Sequence, residues 1–247
     1  MKRGPSTVLR IAIVMAATLS SMPWLAGTAS AYVNTCGTPS NYHVGWVDPS
    51  NNFVEGTYAV ITSRYASTCL TDATNNNFTN QYSMIVSGNY AGWAQVGYMR
   101  WYGSSTYYFS QLVSGHSVDT KTGSSPLAMG ATHYYYNKWV LSCLCMEEII
   151  DRTLWASSSW NPWTAWPTPF YPQYTGETRY LESDVSGTSS APASYTNLGQ
   201  QDNSSNNWEL VPCGELSSAN DGWRTRSDGQ SWHNPQTSCP SFNVYTG

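Results

Sequence analysis

WAQVGYMRW, residues 93–101, leads through a short Gly103-Ser104-Ser105 turn into TYYFSQLV, residues 106–113. In the first run Ala94, Val96 and Tyr98 fall on one side of an extended chain. Gln95, Gly97, Met99 and Trp101 fall on the other. Alternation with period two, in aromatic and β-branched residues, is the pattern of a half-buried strand. Working outward, similar runs occupy residues 56–64, 82–86, 132–144, 147–156, 178–184 and 207–211. Polar and Gly/Pro-rich turns separate them at 48–52, 74–80, 123–126 and 187–192. Residues 145–155 fit an amphipathic helix as well as a strand, and a strand is expected there. The expected fold is all-β: a concanavalin-like two-sheet β-sandwich, or jelly roll, that contains disulfides.

Composition supports this class and excludes others. Charged residues make up 11% of the 247-residue chain and aromatics 14%. So many aromatics argue against disorder. Only 11 Lys and Arg argue against a nucleic-acid surface, which needs a basic patch.

Lys2, Arg3 and Arg10 precede an apolar stretch, residues 11–25, and then Ala29-Ser30-Ala31. A basic start, a short apolar core and a small-x-small end describe a secretory signal peptide. Ser20, Ser21 and Pro23 break the stretch below the ~20 residues of a membrane span. Residues 1–31 are therefore expected to be removed, leaving a single secreted domain, 32–247, with no membrane contact. Its net charge would be about −7, which suits solubility outside the cell.

Cys36, Cys69, Cys143, Cys145, Cys213 and Cys239 all follow the signal. An even number in an exported chain implies disulfides, whose pairing the sequence does not resolve. The CxxC spacing of a zinc site is absent and the histidines stand far from the cysteines, so neither metal nor cofactor is expected. Asn77-Phe78-Thr79 and Asn203-Ser204-Ser205 are glycosylation sequons.

Catalytic signatures for serine, zinc and nucleotide chemistry are missing. The run 114–119 holds Ser, His and Asp, but a triad is normally assembled from distant segments, so this reads as a polar turn. Asp221-Gly222 and Asp228-Gly229 read as turns too. Glu147 and Glu148 are adjacent and must point to opposite faces of a strand. Residues 161–176 (NPWTAWPTPFYPQYTG) carry four prolines among five aromatics. Those prolines argue against a central strand and for a stiff loop. Such a loop suits the lip of a groove or a cover over the end of the sandwich. Glu177 follows it directly.

Trp93-Ala94-Gln95-Val96-Gly97-Tyr98, with Trp101-Tyr102-Gly103 after it, resembles the glutamine segment of the eqolisin glutamic peptidases. Gly176-Glu177 and residues 191–197 (APASYTN) resemble the segment that carries their catalytic glutamate. The pattern 91–93 and 101–103 is similar, more distantly, to that of neprosin-type prolyl peptidases. The resemblance implies a Gln95/Glu177 catalytic dyad and an acid-acting endopeptidase. Glu177 would take a proton from an attacking water and return it to the leaving nitrogen. Gln95 would orient the water and donate N–H to the oxyanion. Trp101, Trp163 and Trp166 would grip an extended peptide, and Gly97 would let its backbone come close. Two further readings stay open: a non-catalytic carbohydrate-binding, lectin-like protein on the same sandwich, and an extracellular interaction protein. The expected ligand is an extended peptide or a polysaccharide.

Overall fold

The computed structural model describes residues 36–37, 40–48, 54–69, 77–115, 117–168, 170–202, 207–212, 217–219 and 231–247. The expected signal segment, Cys213, His116, the Asp221 and Asp228 turns and the Asn203 sequon lie outside these residues.

The first strands are β1 (Tyr42–Val47), β2 (Val54–Thr62), β3 (Phe78–Ser87), β4 (Trp93–Trp101), β5 (Thr106–Val113) and β6 (Val118–Thr122). After them come β7 (Thr132–Val140), β8 (Cys145–Ile150), β9 (Thr153–Ser157), the helical turn α1 (Pro162–Ala165) and β10 (Phe170–Thr178). The C-terminal part holds β11 (Gly187–Thr188), β12 (Ala191–Asp202), β13 (Trp208–Leu210), β14 (Ser217–Ala219), β15 (Trp232–His233), β16 (Gln236–Ser238) and β17 (Ser241–Thr246). Seven of them form one sheet in the order β14-β1-β10-β3-β4-β5-β6; the other ten form a second sheet. The fold is the expected two-sheet β-sandwich.

The alternation in β4 is realised as read. Ala94, Val96 and Tyr98 are buried between the sheets, while Gln95, Met99 and Trp101 line the outer face of the seven-stranded sheet. Residues 145–155 are a hairpin: β8 and β9 flank Asp151 and Arg152, both with positive φ.

Two further expectations are corrected. Residues 170–178 form a strand with neighbours on both sides, despite Pro172. The carbonyl of Pro172 accepts from Asp48 N at 3.2 Å, so its missing N–H also points toward β1, beyond the last β1 pair at Gln173. No bond to β3 is lost, because N–H and C=O of one residue leave an antiparallel strand on the same side. The strand expected at 178–184 is instead a turn. Ser183 N donates to Tyr180 O, and Asp184 N donates to Ser67 O, tying this segment to the loop that carries Cys69.

A polar belt divides the sandwich interior. Gln200, Thr57, Asn137 and Glu148 stand level across the ten-stranded sheet, and Ser83, Val96 and Ser110 stand level across the other. The Ser83 hydroxyl donates to Thr57 Oγ1 (3.0 Å), and Asn137 Nδ2 donates to Thr57 Oγ1 (3.1 Å) and Ser83 O (2.8 Å). One apolar cluster contains Val44, Ile61, Tyr98, Tyr135, Tyr195, Trp232 and Phe242. A second contains Val54, Ile85, Ala94, Leu112, Met146, Trp166 and Phe170.

Cys36–Cys69 and Cys143–Cys145 are disulfides, and Cys239 is disulfide-bonded as well. No helix among the described residues is long and apolar enough to cross a membrane.

Candidate functional site

The outer face of the seven-stranded sheet carries a cavity of about 490 Å³. Its floor is built by strand alternation. Phe78, Asn80, Tyr82, Met84 and Val86 come from β3, Trp93, Gln95, Met99 and Trp101 from β4, and Glu177 from β10. His43 on β1 and Arg179 just past β10 close one end; Tyr90, Gln111 and Thr120 stand at the other. Residues directly opposite in neighbouring strands share a face. The pairs Asn80↔Glu177 and Asn80↔Met99 therefore make one row, and Met84↔Gln95 and Met84↔Gln173 another.

Gln95 and Glu177 thus share the face and the cavity, but not the row. They are two strands and four residues apart, which places their Cα atoms about 16 Å from each other. Each side chain reaches roughly 4–5 Å from its Cα. No direct hydrogen bond joins the two side chains, whose printed partners are Gln111 and Asn80; extended toward each other they would leave roughly 6 Å, about the span of one bridging water.

Each residue has nearer partners. Asn80 Nδ2 donates to Glu177 Oε2 at 3.3 Å, and His43 Nε2 lies 3.8 Å from Glu177 Oε1. Glu177 is 6% exposed. Burial pushes its carboxyl above the usual range, while His43, the Asn80 amide and Arg179 pull it partly back. Arg179 Nη1 donates to Asn41 Oδ1 at 3.0 Å. Tyr82 stands between the two rows; burial, and then the charge of Glu177, pushes its phenol well above its ordinary value.

At the other end, Gln95 Nε2 (3.4 Å) and Trp93 Nε1 (3.0 Å) both donate to Gln111 Oε1, whose amide donates to Thr120 Oγ1 at 3.2 Å. Gln95 is thus one member of a fixed amide chain. Gly97 sits in the middle row, and a Cβ there would lie 1.9 Å from Gln81 O. It is the β3 backbone that comes close to Gly97.

Of the expected aromatic grips, only Trp101 lines the cavity, edge-to-face with Phe78 at 5.7 Å. Trp166 is 3% exposed, and its indole N–H donates to Val113 O at 2.7 Å. Trp163 packs on Phe170 and Trp139 at 4.7 and 5.9 Å between ring centres. Asn161 caps α1 by accepting from Trp163 N at 3.0 Å, and that turn folds both tryptophans onto the second apolar cluster. They cover the end of the core, and neither belongs to the groove.

Neither Asn80 nor His43 is expected at a site from the sequence: Asn80 falls in the polar turn expected at 74–80, and no strand is expected where β1 lies. Extending the alternation Val86, Met84, Tyr82 by one step would have reached Asn80. The Ser114–Ser117 segment is a polar turn as read: Ser117 N donates to Ser114 Oγ at 3.0 Å, and Ser114 N to Ser117 O at 3.0 Å.

The sequence matches no protein-family model, and no curated protein matches it. Among solved structures, the chain is similar to scytalido-glutamic peptidase bound to a transition state analog inhibitor. That likeness has a TM-score of 0.53 at 8% identity and covers 83% of this chain and 97% of the peptidase. The catalytic module of LamA from Zobellia galactanivorans matches with a TM-score of 0.33 at 14% identity, over 53% of this chain and 57% of that one. An endo-1,3-beta-glucanase from Streptomyces sioyaensis matches with a TM-score of 0.34 at 12% identity, over 59% and 63%. What is shared with the peptidase is the β-sandwich fold.

Proposed function

We propose that the protein is a secreted glutamic-type endopeptidase that hydrolyses extended peptides in this groove, with Glu177 as its acid–base group. The observation that carries this reading is the Glu177–Asn80 pair, a buried carboxyl with an amide N–H at 3.3 Å on the floor of an aromatic cavity. The ionised Glu177 takes a proton from water attacking the scissile carbonyl and returns it to the departing nitrogen. Asn80, on the neighbouring strand, takes the amide role that the sequence pattern suggests for Gln95. It holds the carboxylate and has a second N–H for the developing oxyanion. Gln95 then contacts the substrate at a distance, since about 16 Å corresponds to about five residues of extended chain.

Because Glu177 must be ionised to act as base and its pKa is raised, activity falls as pH drops through a value above 4.5. The test is cleavage of a mixed peptide library between pH 3 and 8. Glu177→Gln should lower kcat by at least about 100-fold. Gln95→Ala should mainly raise KM. Full activity in Glu177→Gln would refute the assignment.

A second reading is favoured by the separation of Gln95 from Glu177: a binding groove for a peptide or glycan without hydrolysis. Retention of the protein on an insoluble glycan, lost in Trp101→Ala, together with no cleavage of any library peptide, would select it.

A further inference from the structure

The β7–β8 hairpin ends in Leu141-Ser142-Cys143-Leu144-Cys145, and the two cysteines are joined across a single residue. Cys143 is exposed, whereas Cys145 is buried. Leu141 and Leu144 beside them are exposed too, so nothing among the described residues screens Cys143 from solvent. Leu144 has φ +50°, a left-handed conformation that costs a non-glycine residue. The Ser157 hydroxyl donates to Cys145 Sγ at 3.2 Å. The sulfur atoms of Cys143 and Cys145 lie within 4.8 Å of the Glu147 carboxylate.

Cys36–Cys69 is built differently. It joins positions 33 apart, Cys69 is 2% exposed, and the Asn77 and Ser183 side chains pack on its sulfur. A long closed loop contributes more to the folded state than a ring of three residues does. Opening Cys143–Cys145 therefore costs the fold little, because β7 and β8 stay paired from Tyr135↔Ile150 to Val140↔Cys145.

We propose that Cys143–Cys145 is a thiol-exchange site that low-molecular-weight thiols open in the folded protein, while Cys36–Cys69 stays closed. A thiolate attacks the exposed Cys143 Sγ and forms a mixed disulfide. The electron pair of the Cys143–Cys145 bond leaves with Cys145 Sγ, and the Ser157 O–H stabilises that thiolate. A second thiolate attacks the reagent's sulfur in the mixed disulfide and frees Cys143, and both cysteines take protons from solvent. Two reagent thiols are oxidised to one disulfide, and one protein disulfide is reduced to two thiols. The Glu147 carboxylate repels an anionic reagent, so it sets a preference for neutral thiols.

The folded protein is incubated with glutathione or 2-mercaptoethanol at pH 7.5, quenched with iodoacetamide and mapped by peptide mass spectrometry. Cys143 and Cys145 should be alkylated at least tenfold faster than Cys36 and Cys69, with near-ultraviolet circular dichroism unchanged. Ser157→Ala should slow opening severalfold. Glu147→Gln should speed the glutathione reaction more than that of 2-mercaptoethanol. Equal rates for the two disulfides, opening only as the dichroism signal is lost, or rates unaltered in both variants would overturn the proposal.

Discussion

Replacing Glu148 by glutamine should make the protein more stable, and the gain should depend on pH in a defined way. Glu148 is fully buried in the polar belt between the sheets, and neither carboxyl oxygen has a hydrogen-bond partner. Burial pushes its pKa from 4.5 to about 8, opposed by the nearby Ser110 hydroxyl, the backbone of Gln111 and Gln95, and the charge of Lys121. In the unfolded chain the group is ionised above pH 4.5, while in the fold it keeps its proton until about 8. Folding therefore takes up a proton in this window, so stability is full below pH 4.5 and is lost as pH rises toward 8. At about 1.4 kcal/mol per pKa unit, the loss reaches roughly 5 kcal/mol at pH 8. Glutamine has nearly the same shape and no charge to bury. Urea unfolding of both proteins, with disulfides intact, should give similar stabilities at pH 4 and a variant ahead by several kcal/mol at pH 8. The difference between them cancels every other titrating group. A difference that stays constant from pH 4 to pH 8 would refute the assignment of a buried, protonated Glu148.

Three further outcomes follow from individual contacts. Trp166→Ala should cost about 3–5 kcal/mol in urea unfolding while leaving ligand affinity at the groove unchanged, since the indole fills the core. His43→Ala removes the strongest influence that lowers the Glu177 pKa, so a carbon-13 titration of the Glu177 carboxyl should show its midpoint moving upward. Asn77 is fully buried, and its Nδ2 donates to Cys69 O at 2.6 Å, so glycopeptide mass spectrometry of protein secreted from a eukaryotic host should find that asparagine bare.

The extent to which the sequence is legible varies with the kind of statement. Strand identity was legible where one face is buried and the other is not, as in β4 and β5, whose bounds agree with the reading to the residue. It failed where composition misleads. The prolines of residues 161–176 argue against a strand, but Pro172 turns its missing N–H toward the end of β1, so no bond to β3 is lost. The tryptophans of the same stretch look like a displayed surface, yet an Asn161-capped turn folds them inward. Neither outcome can be read from the segment alone, because each depends on what another strand does at that level.

The candidate site divides along the same line. The face a side chain takes follows from the alternation within its own strand, and so Gln95 and Glu177 could both be assigned to faces from their own sequences. Level is different: it depends on how three strands slide past one another. The β3–β4 register is set locally by the turn after Ser87, which pairs Val86 with Trp93. β10 arrives only after five further strands and a helical turn, and its register with β3 is set by its burial against β1 and β3 together. Spacing and facing can thus be read from a motif pair while the level of its two members waits on the register of the strands between them. The residue that meets Glu177 is decided by the register Asn80↔Glu177, so the Asn80 and Gln95 variants separate the two assignments more sharply than any variant of Glu177 itself. Asn80→Ala should depress kcat and Gln95→Ala should raise KM; the reverse pattern would refute the Asn80 assignment and make Gln95 the partner of Glu177.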